Sequence, residues 1–148
     1  MAKALMLYHS QQHGNTGKMA EAVAEGLKAG GCEVTLHNAN EKRFPITDFP
    51  NYQCVAFGTP DYFSYMAGGL KDFFDRTYYP TEGEVTDKPC GIFVTHGGGG
   101  KAVDSVERVC RAFKFKLVGK PVLVENAPDA EAQQRLGALG KALAEAAR

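Results

Sequence analysis

The chain predicts an α/β fold, a doubly wound parallel sheet with helices on both faces. Short apolar runs alternate with helix-period stripes along its whole length. The middle runs, Cys54-Val55-Ala56-Phe57-Gly58 and Cys90-Gly91-Ile92-Phe93-Val94, are apolar throughout, as strands buried between two helical layers are. Each run passes through a polar or glycine-rich loop into the next helical stripe, the order of right-handed βαβ crossovers.

Ala4 to Tyr8 reads as a central strand. The stripe Met19, Ala20, Val23, Ala24, Leu27 predicts a helix from about Thr16 to Lys28, closed by Gly30-Gly31 as a C-terminal glycine cap. Glu33 to His37 alternates polar and apolar, the period of a half-exposed edge strand. Asn40 to Asn51 is charged, aperiodic and broken by Pro45 and Pro50, which predicts a loop with at most one helical turn. Cys54 to Gly58 is the third strand. After a loop from Thr59 to Ser64, the residues Met66, Leu70, Phe73, Phe74 and Thr77 give a helical face.

Tyr78 to Lys88 is a polar connection, and Pro89 opens the fourth strand, Cys90 to Val94. Gly97 to Gly100 follows, then a stripe of Val103, Val106, Val109, Cys110 and Phe113. The fifth strand lies in Leu117 to Val124, interrupted by Gly119 and Pro121. Pro128, Asp129 and Glu131 suit the start of a last helix with Leu136, Leu139 and Leu143 as its apolar face. Gly137, Gly140 and the final alanines predict close packing of that helix on the sheet.

The 148 residues carry no internal repeat, low-complexity tract or linker, so one domain over 1–148 is expected. The formal net charge is +0 and the pI about 6.9, which leaves no basic field for nucleic acid and no strongly acidic surface to steer a basic partner. Cys32, Cys54, Cys90 and Cys110 form no C-x-x-C pair. That spacing argues against zinc and predicts free buried thiols in a reducing compartment. No apolar run approaches the roughly 18 residues of a membrane helix, and the run after Met1-Ala2-Lys3 is too short for a signal peptide. A soluble cytoplasmic protein is expected, with no membrane or metal site.

In such sheets ligands sit beyond the carboxyl ends of the strands, where strand order reverses. Three loops emerge there. The first, Ser10-Gln11-Gln12-His13-Gly14-Asn15-Thr16, joins a buried strand to a helix N-terminus whose first-turn amides lack intrahelical partners. Ser10, Asn15 and Thr16 add side-chain donors, and Gly14 lets the backbone approach a ligand. The loop has no Arg, and Lys18 lies inside the helix, so a phosphate here would be held by neutral dipoles. The second, Thr59-Pro60-Asp61-Tyr62-Phe63-Ser64, continues into Tyr65-Met66 and supplies aromatic surface. The third, Thr95-His96-Gly97-Gly98-Gly99-Gly100, allows a flat ring to lie against its backbone. Each loop alone also fits a plainer role: a capped turn, a lid on the core, a flexible glycine turn.

These motifs resemble a known family. Ser10-x-x-His13-Gly14-Asn15-Thr16 resembles the FMN-phosphate loop of flavodoxins. Gly58-Thr59-Pro60-Asp61-Tyr62-Phe63, with Met66-Ala67-Gly68-Gly69-Leu70-Lys71-Asp72-Phe73-Phe74-Asp75, resembles the isoalloxazine loop and helix of the WrbA-type flavodoxin-like proteins. The resemblance implies a three-layer flavodoxin-like sandwich with a five-stranded sheet of order 2-1-3-4-5 and non-covalent FMN. It assigns the phosphate to Ser10, His13, Gly14, Asn15 and Thr16. It assigns the ring to Pro60, Asp61, Tyr62, Phe63 and Ser64 on one side, and to Thr95, His96, Gly97, Gly98, Gly99 and Gly100 on the other, and Gln12 and Thr59 are expected among the cofactor-binding residues. It also allows a homo-oligomer. The first loop is one residue longer than the usual flavodoxin pattern, and the late insertion of WrbA-type quinone reductases is absent.

Other readings fail on spacing. Gly97, Gly99 and Ala102 satisfy G-x-G-x-x-A but follow the fourth strand, not the first. Gly14 to Lys18 lacks Walker spacing. Tyr8-His9-Ser10 offers no acids for the Mg²⁺ of a phospho-acceptor receiver, and there is no G-x-S-x-G elbow for a hydrolase. Three functions remain open: an FMN enzyme passing electrons from NAD(P)H to a quinone or similar acceptor, a one-electron carrier to redox proteins, and a cofactor-free binding module. In the first two the flavin carries the chemistry and no catalytic acid or base is needed.

Overall fold

Alternating apolar residues decide which layer each strand feeds. From the central strands, Leu5, Leu7, Val55, Phe57, Ile92 and Val94 enter one core, and Ala4, Met6, Cys54, Ala56 and Phe93 enter the other. The computed structural model describes residues 1–11 and 14–148. Its elements are β1 Lys3–Tyr8, α1 Asn15–Ala29, β2 Glu33–Asn38, a 3₁₀ segment Ile46–Asn51, β3 Cys54–Pro60, α2 Gly68–Thr77, β4 Pro89–His96, α3 Ala102–Ala112, β5 Lys116–Leu117, β6 Val122–Glu125 and α4 Ala130–Ala146. Helices α1 and α4 cover one face of the sheet, and α2 and α3 the other. The first face packs small and aliphatic residues around Phe93. The second is built on aromatic rings, with Phe73 edge-on to Phe49 at 5.3 Å and Phe113 stacked on Phe115 at 5.0 Å.

All strands run parallel, in the order β2-β1-β3-β4-β5, and β6 also pairs with β4. The expected order holds, but the expected fifth strand is two. β5 pairs with Pro89 and Cys90, and β6 pairs with Phe93 to His96. Between them Gly119 turns left-handed at φ +67°, and Pro121 has no N–H to give the ladder. The two pieces share one lane of the sheet.

A second expectation is corrected. Gly137 and Gly140 pack α4 on α1, not on the sheet. A Cβ on Gly140 would lie 2.2 Å from the Val23 carbonyl, and one on Gly26 would lie 2.1 Å from the Gly137 carbonyl. The helices touch backbone to backbone, so a side chain at either contact has no room. A third correction is local: Met66 is buried but precedes α2, whose N-cap is Ala67. Asp129 caps α4 as expected, its Oδ1 accepting the Ala132 N–H at 2.8 Å.

Candidate functional site

The register places the loops. Tyr8 pairs with Gly58, Pro60 with Thr95, and His96 with Glu125, so the chain leaves β1, β3, β4 and β6 at one edge. β1 sits between β2 and β3, and this reversal opens a crevice above it. An open cleft of about 170 Å³ lies there, lined by Asn15, Pro60, Asp61, Tyr62, Thr95, His96, Gly97 and Asn126. All but Asn126 belong to the three predicted loops. Two other hollows, about 480 Å³ between α1 and α4 and about 170 Å³ beside Tyr78 and Phe113, lie away from that edge. Among the hollows of the described residues, this cleft gathers the ends of β3 and β4 and the N-terminus of α1.

The first loop closes on α1 through Gly14, which adopts φ +70° and donates its N–H to the Gln11 carbonyl at 3.1 Å. Gly14 is the N-cap of α1. Among the described residues nothing accepts the amide protons of Asn15 and Thr16, and the first turn carries no acid. Ser10 Oγ accepts the Gly17 N–H at 3.2 Å, which leaves the hydroxyl proton to donate. Thr16 and Thr95 are buried with their hydroxyls 3.0 Å apart. One proton bridges them, and the other remains to donate. Gln12 and His13 lie outside the described residues.

The second loop is held at three points. Thr59, fully buried, donates its hydroxyl proton to the Pro60 carbonyl at 2.7 Å and accepts the Ala67 N–H at 2.9 Å. Ser105 Oγ accepts the Met66 N–H at 3.0 Å. Asp61 spans the gap: Oδ1 accepts the Ser64 N–H at 2.8 Å, and Oδ2 accepts the Ala102 N–H at 3.2 Å, in the first turn of α3. Its carboxylate therefore faces two amides and a helix N-terminus, which offset its charge. Tyr62 and Tyr65 exchange backbone hydrogen bonds at 3.0 and 3.1 Å around Phe63 (φ +58°) and Ser64 (φ +62°). This is a type I′ hairpin, a turn that favours Asn-Gly, with Phe63 fully exposed at its tip. Tyr62 lines the cleft in a T-shaped contact with His9, ring centroids 5.9 Å apart, and burial raises its phenol pKa, so it stays protonated at neutral pH.

Thr95 and His96 are the last residues of β4, not loop residues. His96 Nδ1 accepts the Gly98 N–H at 3.0 Å, which puts the proton of a neutral ring on Nε2. Of the glycine run only Gly97 lines the cleft. Gly98 and Gly99 are exposed, and Gly100 is buried, where a Cβ would lie 2.7 Å from Leu123. The site also uses residues the sequence did not single out. Asn126, at φ +62°, continues β6 into the cleft and donates its N–H to the His96 carbonyl at 2.9 Å. Buried His9 accepts the Gly69 N–H at Nδ1, 3.1 Å, and meets Gln11 Oε1 through Nε2 at 2.9 Å, tying β1 to α2. A polar residue at a strand end has no periodic signature, and only its position just past an apolar run could have marked either one.

These groups suit a phosphorylated planar ligand. Among the described residues, unpaired amides of the first turn and hydroxyl donors lie at one end, and the Tyr62 ring stands at the other. Fold and site together define an open parallel α/β protein with a cleft of polar loop residues at its switch point. The family model described as Flavodoxin matches residues 6–137, and the chain belongs to the flavodoxin family of FMN-binding electron-transfer flavoproteins. Membership sets aside the cofactor-free module. Among solved structures the chain is similar to a flavodoxin from the domain Archaea, at 23% identity over 98% of each chain with a TM-score of 0.86. It is also similar to a WrbA-like flavodoxin protein from Agrobacterium tumefaciens, at 22% identity over 100% of this chain and 98% of that one with a TM-score of 0.84. Rubredoxin oxygen:oxidoreductase from Desulfovibrio gigas matches at 20% identity and a TM-score of 0.88, over 98% of this chain but 36% of that one. At these identities the likeness is one of fold.

Proposed function

We propose that the cleft holds FMN and that the protein uses it to pass electrons from NAD(P)H to a quinone or similar small acceptor in the cytoplasm. Ser10, Gln12, His13, Gly14, Asn15 and Thr16 take the phosphate. Pro60, Asp61, Tyr62, Phe63 and Ser64, with Thr59 bracing them, stand on one side of the ring, and Thr95 to Gly100 on the other. Convergence carries this reading: seven residues from three separate loops line one cleft at the strand-order reversal. Bound FMN supplies the redox chemistry. The chain's residues grip the phosphate with neutral donors, orient the ring against Tyr62, and leave its rim open, with Phe63 and Tyr65 exposed beside it. The stretch from Gly58 to Asp75, with its resemblance to the WrbA-type proteins, favours a small acceptor.

The alternative is a one-electron carrier to redox proteins, favoured by the short chain and the absence of the late insertion of WrbA-type quinone reductases. Steady-state oxidation of NAD(P)H by the FMN-loaded protein with benzoquinone separates the two. Saturable turnover well above that of free FMN is expected. Turnover no faster than free FMN, with one-electron exchange to a viologen dye intact, would establish the carrier instead.

A further inference from the structure

At the end of β2 the backbone ladder stops and a side chain continues it. Asn38 pairs with Tyr8 in register, and the next amide, of Ala39, donates to the Tyr8 carbonyl at 2.7 Å. Beyond that point Asn38 Oδ1 accepts the Ser10 N–H at 3.0 Å, and its Nδ2 donates to the Ser10 carbonyl at 3.1 Å. Asn40 adds a second Nδ2 donor to the same carbonyl at 3.2 Å, and its own N–H donates to Asn38 Oδ1 at 3.1 Å. Both backbone groups of Ser10 are thus fixed by residues far away in sequence. A carboxamide carries a donor and an acceptor on one planar group, and here it engages the N–H and the C=O of one residue together. Ser10 Oγ in turn takes the Gly17 N–H at the start of α1, with its proton free.

We propose that Asn38 is a positioning residue. Through Ser10 it sets the anion cradle, and with it the preference of the site for FMN over unphosphorylated riboflavin. The proposal rests on the reading above that Ser10 and the first turn of α1 hold the phosphate. Asn38 touches no ligand itself. Without its amide, Ser10 loses one N–H acceptor and one of two carbonyl donors, and its hydroxyl is no longer held over Gly17. A phosphate there depends on several short bonds acting together, so a small displacement weakens all of them, while a flavin lacking the phosphate is indifferent.

The test compares wild type, Asn38→Ala, Ser10→Ala and the double variant, each titrated with FMN and with riboflavin by quenching of flavin fluorescence. Asn38→Ala is expected to cut the preference for FMN roughly tenfold, the equivalent of one to two neutral hydrogen bonds. Its riboflavin affinity should stay within about twofold, because the ring wall is untouched. In the Ser10→Ala background the same substitution should cut the preference by less than about threefold, because the route through Ser10 is already gone. A merely structural Asn38 would weaken both ligands alike. That result, an unchanged preference, or effects that multiply in full would each overturn the proposal. Should circular dichroism show Asn38→Ala unfolded, Asn40→Ala carries the test, since Asn40 is exposed and gives Ser10 one bond. A preference reduced by roughly threefold is then expected, and an unchanged one overturns the proposal. Wild type binding both flavins equally would overturn the phosphate reading itself. Wild type that discriminates, beside an Asn38→Ala that discriminates equally, overturns only the role of Asn38.

Discussion

Thr16 and Thr95 stand at the meeting of the first loop and the end of β4, buried and 3.0 Å apart. Removing one hydroxyl leaves the other buried without its partner, which costs about 1–3 kcal/mol. Removing both leaves an apolar contact of similar shape, which is close to neutral. Thr95→Val should therefore lower the urea midpoint of the apoprotein, and Thr16→Val with Thr95→Val should recover most of the loss. FMN affinity should fall in the double variant, because no hydroxyl proton is left there to donate. If the double variant binds FMN as tightly as wild type, the hydroxyl pair does not face the cofactor. Asp61 shows the limit of reading a residue by type. Its type marks it as an acid near the cleft, and only its position between Ser64 and Ala102 shows that it also braces two loops.

Elements were more legible than their contacts. The apolar strands, the edge strand β2, the glycine stop after α1 and the Asp129 cap all follow from pattern and local chemistry. The split of the fifth strand did not, because Gly119 and Pro121 interrupt a run without saying whether both halves return to β4. Nor did the target of the α4 glycines, since periodicity marks a buried face but not what covers it. The α1–α4 contact yields a prediction of opposite signs within one helix. Gly140→Ala forces a methyl against the Val23 carbonyl and should destabilise by about 3 kcal/mol or more. Gly137→Ala meets nothing within 4 Å and should stabilise by about 0.5–1 kcal/mol through helix propensity. Denaturant midpoints decide it. Equal effects at the two positions would mean the helices do not cross as described.

Across the whole molecule, the buried thiols tie stability to pH. Burial, with the neighbouring Cys32 thiol, pushes Cys54 up to about 12. Burial and Cys110, with sulfurs 3.7 Å apart, hold Cys90 well above the ordinary thiol range. An unfolded thiol ionises near pH 8.5, so above about pH 9 the folded chain holds protons the unfolded chain has lost. Stability from this source is complete below about pH 8 and falls as pH rises, by up to about 1.4 kcal/mol per pH unit for each thiol. Lys88 works in the opposite sense: burial lowers its pKa, so stability gains as it neutralises. Two thiols outweigh one amine. The urea midpoint should drop between pH 8 and 10.5, less steeply in Cys54→Ala, and a flat profile would contradict these burial assignments.

The three polar loops were legible as a set because each follows an apolar strand, and a parallel sheet sends all such loops to one edge. Which atoms face the ligand was not legible, because hydroxyls and amides choose partners only after the loops meet. The central claim, that these loops surround one FMN, is tested most directly by mapping amide chemical shifts in isotope-labelled apoprotein as FMN is added. The account predicts large changes at 14–17, 59–66, 95–100 and Asn126, and none at Glu33, Lys88 or Lys116 on the opposite edge of the sheet. Changes centred on that opposite edge, or on the groove between α1 and α4, would contradict it.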